Sequence, residues 1–131
     1  MKRLLFCLIV FFSINYLYAD SKITAERILY IVVDGICFNF HEVNNRLPVS
    51  FDDFLENLPI RRNSSEANIH GLIDSFTTMG FIITYILADE NDFELTVRKG
   101  NEKIIYNSHT DEVFHYENEI IIDIWKKSDI Y

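Results

Sequence analysis

Twenty acidic side chains against twelve basic ones give this 131-residue chain a formal net charge of −8. Such a surface repels phosphate backbones, and no basic cluster larger than Arg61-Arg62 interrupts it, so nucleic-acid binding is disfavoured. With only Cys7 and Cys37, a hydrophobic core rather than a disulfide framework must hold the fold, and an aromatic content of 15% can supply one.

The chain opens with Met1-Lys2-Arg3, continues with an almost wholly apolar run from Leu4 to Tyr18, and reaches Ala19 before Asp20. A basic start, an apolar middle and a small residue at the cut describe a secretory signal peptide at residues 1–19. As a helix, Leu4 to Tyr18 would span only about 22 Å, short of a hydrocarbon core about 30 Å thick. Export to the periplasm or the exterior is therefore expected, with membrane attachment only if the segment stays uncleaved. The mature part, residues 20–131, reads as a single domain. It would retain Cys37 alone, so no intrachain disulfide is expected there.

The stretch ILYIVVDGICFNF, residues 28–40, has two readings. Asp34-Gly35 between β-branched runs is a hairpin signal. On a helical wheel, however, Ala25, Ile28, Leu29, Val32, Val33, Ile36, Phe40 and Val43 share one arc, with Arg27, Asp34, His41 and Asn45 opposite. The stripe continues beyond the disputed window in both directions, which predicts one amphipathic helix from Ile23 to Val43, ended by Asn44-Asn45 and Pro48.

The segment LPVSFDDFLENLP predicts a short helix with Ser50 as N-cap, Asp52 and Asp53 in its first turn, and Pro59 as its stop. Arg61 to Ser65 reads as a polar connector that contains the glycosylation sequon Asn63-Ser64-Ser65. A third helix is predicted from about Ser65 to Met79. Its apolar spacing is Ile69, Leu72, Ile73 and Phe76, and Gly80 supplies its C-cap. Gly71 weakens it.

Past Gly80 the period shortens. FIITYILA reads as a buried strand, and FELTVR alternates with Phe93, Leu95 and Val97 on one face. A hairpin turn at Gly100-Asn101 sets Val97 opposite Ile104, Leu95 opposite Tyr106, Lys99 across from Glu102 and Arg98 across from Lys103. VFHY and EIIIDIW supply two further strands. The expected class is α+β, an N-terminal amphipathic helix and short helices packed on a meander sheet of three to five antiparallel strands.

The segment NNRLPVSFDDFLENL after a long helix resembles the corresponding region of type IV pilin-like proteins, specifically the major pseudopilin of type II secretion. YILADENDFELTVRKGN is similar to the antiparallel strands of that family's globular domain. The resemblance centres on Arg46-Leu47-Pro48 and implies a pilin-like fold. The chain lacks the prepilin cleavage motif, a glycine followed by a glutamate at the fifth mature position, and the family's calcium-binding acidic residues have no convincing match.

Chemistry-bearing clusters are few. Asp89-Glu90-Asn91-Asp92, with Glu94, offers oxygens for a hard cation but lacks the glycine and alternation of a calcium loop, and a solvated turn explains it. His109, Asp111, His115 and Glu117 form a weak metal candidate whose spacing matches no defined motif. Cys37 with His41 one helical turn away could make an activated thiol, although a lone cysteine in an apolar run is more simply a small buried hydrophobe. No nucleophile elbow or phosphate-cradling glycine loop is present, and no cofactor is expected. The sequence thus reads as an exported, acidic, non-catalytic interaction or structural module with a protein partner. The alternatives are a small exported metal-binding protein or enzyme using His109, Asp111 and His115, or an inhibitor-type binder presenting the Asp89 to Asp92 loop.

Overall fold

The computed structural model describes residues 25–58 and 66–130. The signal-peptide reading of residues 1–19 and the connector with its sequon at Asn63 lie outside the described residues.

Residues 25–44 are one continuous helix, α1, and not a hairpin. Its centre, Gly35–Phe40, is π-helical, and its last turn, His41–Asn44, is α-helical. Asn45 ends it in the left-handed conformation, φ 53°, donating its N–H to His41 O at 2.7 Å. Asparagine tolerates that conformation better than most residues, so the Asn44-Asn45 stop is local chemistry. Ala25, Ile28, Leu29, Val32, Val33, Ile36 and Phe40 are all buried, as the helical wheel requires. Val43 departs from expectation and is 53% exposed. The π segment inserts an extra residue into the helix and so rotates the last turn by about 100°. Asn44 takes the inward place instead, with Nδ2 donating to Phe40 O and Asn57 O.

Helix α2, Phe51–Asn57, starts where Ser50 Oγ accepts the Asp53 N–H at 3.0 Å. It buries Phe54 against Phe40, ring centroids 6.2 Å apart. Helix α3, Glu66–Thr78, buries Ile73 and Phe76. Leu72, expected in the core, faces solvent instead, at the margin of the buried stripe. The C-terminus of α3 closes as a Schellman motif: Phe81 N–H donates to Phe76 O, Gly80 N–H donates to Thr77 O, and Gly80 adopts φ 95°.

The rest is a five-stranded antiparallel meander in the order β1-β2-β3-β4-β5. The strands are β1 Ile82–Leu87, β2 Phe93–Lys99, β3 Glu102–Asn107, β4 Glu112–Glu117 and β5 Ile120–Lys126, followed by a 3-10 turn, Lys127–Ile130. The β2–β3 register pairs Val97 with Ile104, Leu95 with Tyr106, Arg98 with Lys103 and Lys99 with Glu102, as predicted. The fold is α+β. The buried-strand reading of FIITYILA is corrected: β1 lies at the sheet edge, with Tyr85 buried and Ile82 and Ile86 exposed. A short apolar run does not reveal whether one face or both are covered.

Helix α1 lies on one face of this sheet. Tyr85, Phe93, Leu95, Val97, Ile104, Tyr106 and Val113 point into a core shared with the helix stripe. Two polar links seal the seam. Trp125 Nε1 donates to Tyr30 Oη at 2.7 Å, and Lys127 Nζ lies 2.9 Å from Asp34 Oδ1.

Candidate functional site

The residues of β1 to β5 that alternate with the core positions form the opposite face of the sheet, and no described element covers it. Hydrogen-bond register arranges this face in three rows. The first contains Ile82, Arg98, Lys103, Tyr116 and Ile121. The middle one contains Thr84, Thr96, Ile105, Phe114 and Ile124. The third contains Ile86, Glu94, Asn107, Glu112 and Lys126.

The middle row is uncharged throughout, and Ile124 in it is 48% exposed. Strand β5 adds Ile120, Ile121 and Ile122, all exposed, at an edge with a bulge where β4 shifts register between His115 and Tyr116. A bulge and the charges of Asp123 and Lys126 blunt an edge against strand addition. The flat face, not the edge, is therefore the accessible apolar surface. Charge on this face is ordered. Arg98 and Lys103 stand at one end, where Lys103 lies over the Tyr116 ring and both cations reach Glu119 in the β4–β5 turn, at 3.3 and 3.1 Å. Glu94 and Glu112 stand at the other end, with Lys126 beside Glu112 on β5.

The metal candidates do not converge. His109 is exposed in the β3–β4 turn, its Nδ1 3.2 Å from Asp92 Oδ2. Asp111, also in that turn at φ 58°, accepts from Tyr106 Oη at 3.0 Å and from the Ser128 N–H at 3.0 Å. Those hydrogen bonds hold its carboxyl below the usual range against an opposing burial effect. His115 lies on the helix-facing side of β4, its ring edge-on to Trp125 and its Nε2 3.3 Å from Glu102 Oε1, while Glu117 is exposed at the far end of the same strand. Among the described residues, no group of three or more His, Cys, Asp or Glu side chains is placed to hold a metal ion.

Nucleophile arrangements fare no better. Ser108 Oγ and His109 both address Asp92, so the carboxylate stands between hydroxyl and imidazole. An activated serine needs the imidazole in the middle. Cys37 is half-buried, and burial pushes its thiol pKa up, although the Lys127 charge pulls it the other way. That is the opposite of a poised thiolate. A cleft of about 400 Å³ is lined by Asp34, Phe38, Asp111, Lys127 and Ser128. Its ionic groups, however, fasten the 3-10 turn to α1. The Asp89 to Asp92 loop is an Asx turn, Asp89 Oδ1 accepting the N–H groups of Asn91 and Asp92.

No known family, characterised protein or solved structure matches this chain. The open face thus stands on its own chemistry. The sequence marks a second side on the central strands without showing whether it is covered: Glu94, Thr96 and Arg98 alternate with the core residues of β2, and Lys103, Ile105 and Asn107 with those of β3. One amphipathic helix can cover only one side of a five-stranded sheet. Among the described residues, no helix is long and apolar enough to cross a membrane.

Proposed function

We propose that this chain is an exported, acidic interaction module that binds a protein partner through the open face of its sheet, without catalysis. The supporting observation is the uncharged row from Thr84 to Ile124, which lies across all five strands with no described element over it. Its apolar stretch, Ile105, Phe114 and Ile124, flanked by charged rows, is the kind of surface that marks interaction sites. Residues 1–19, read as a signal peptide, support a periplasmic or extracellular setting. A pilin-like subunit, as the Arg46-Leu47-Pro48 segment suggests, would be one form of such a module.

The test is a photo-crosslinking residue at Phe114 in the native host, with one at Thr78, exposed on α3, as control. Discrete protein adducts from Phe114, absent from Thr78, are expected. No adduct from Phe114, or the same products from both positions, would remove the reading. Mass spectrometry of the envelope fraction should find an N-terminus at Asp20.

A further inference from the structure

We propose that the open face is self-complementary and that its partner is a second copy of this chain, packed face to face across a two-fold axis along the middle row. This rests on the reading of the face as a protein-binding surface and adds the identity of what it binds.

Charge order carries the proposal. An axis along the row Thr84, Thr96, Ile105, Phe114 and Ile124 lays each strand antiparallel on its own copy. The middle row then meets itself, with apolar pairs at Ile105, Phe114 and Ile124 and hydroxyl on hydroxyl at Thr84 and Thr96. The first row of each copy meets the third row of the other. Arg98 comes to stand over Glu94 of the second copy, Lys103 over Asn107, Tyr116 over Glu112, Ile121 over Lys126 and Ile82 over Ile86. No like charges are stacked by this operation. The alternative axis, parallel to the strands, would lay first row on first row and bring the Arg98 and Lys103 ends together, which costs energy.

Size also fits. Five strands spaced roughly 4.8 Å apart, each roughly 20 Å long, give a face of about 500 Å², hence about 1,000 Å² buried in total, at the lower end of specific interfaces. Sheets packed this way lie about 10 Å apart with strands crossing at about 30°. An interface of this size belongs with the weak, transient ones.

Sedimentation of the full chain across a concentration series tests this, alongside the mass of the Phe114 cross-link. A monomer–dimer equilibrium is expected, weakened at least tenfold by Phe114→Glu and by Ile124→Glu, each checked for retained fold by circular dichroism. Arg98→Glu and Glu94→Arg should each weaken it, and the double variant should recover it, because the two positions face each other only in this packing. A monomer at all concentrations, with Phe114 cross-linked to a different protein, overturns the homodimer and leaves the partner-binding reading standing. A dimer indifferent to Phe114→Glu and to the charge swap shows that another surface is used and overturns the proposal. A cross-link from Phe114 to residues 1–19 of its own chain does the same.

Discussion

The indole N–H of Trp125 donates to the hydroxyl of Tyr30 at 2.7 Å, joining the last strand to the first helix across 95 residues of sequence. Tyr30 in turn donates to Glu26 Oε1 at 2.9 Å, one helical turn back. Together with the Lys127–Asp34 contact, this clip ties the end of β5 to α1 as well as to β4.

Trp125→Phe should therefore cost about 1 kcal/mol, the worth of one partly buried hydrogen bond, and Tyr30→Phe about 1–2 kcal/mol, because it also loses the bond to Glu26. The double variant should cost less than the sum, since both changes remove the same bond. Denaturant unfolding measures all three, and strict additivity would mean the contact contributes nothing.

Arg46 grips Asp53 with two bonds, 2.6 and 3.1 Å, while Val49 N–H and Asn57 Nδ2 donate to the same carboxylate. The Arg46 bond above all, then the two other donors, holds the Asp53 carboxyl well below the usual carboxylate range. The folded state thus favours the ionised form, so this stability is fully present above the unfolded-state value of about 4 and drains away as pH falls beneath it. Asp53→Asn should lose about 1–2 kcal/mol at neutral pH and show a flatter loss of stability between about pH 5 and 2. Asp52→Asn is the control. An unchanged acid limb in Asp53→Asn would refute the account.

Two glycines in and beside α3 should respond with opposite signs. Gly71 is exposed and helical, with open space where a Cβ would stand, so Gly71→Ala should stabilise by about 0.5–1 kcal/mol. Gly80 holds φ 95° in the Schellman motif, and Gly80→Ala should destabilise by about 1–2 kcal/mol. Thermal melts of the two variants should move to either side of the parent.

The β4–β5 turn places Asn118 and Glu119 both at positive φ, 51° and 63°, the geometry of a type I′ hairpin. Glycine suits the second position better than glutamate does, whereas Glu119 contributes exposed ion pairs to Arg98 and Lys103. Because salt screens those pairs but leaves the backbone preference intact, Glu119→Gly should raise the melting temperature more at about 1 M NaCl than at low salt. A smaller gain at high salt would contradict the assignment.

Local chemistry by itself determined a good deal of this molecule. The stripe from Ala25 to Phe40 predicts a helix through Asp34-Gly35, Ser50 announces the start of α2, Gly80 the end of α3, and Gly100-Asn101 the register of the central hairpin. Each is a preference of a few neighbouring residues, and the fold agrees with it. Tertiary structure decided what depends on residues distant in sequence. It sent Val43 outward by inserting a π turn, put the apolar run of β1 at an edge, and spread His109, Asp111, His115 and Glu117 over a turn and the length of β4. It also gave Arg46 its role against Asp53. The open face could not be read in advance for the same reason. Whether a strand's second side is covered depends on how many helices reach it, and side-chain period records only that two sides exist.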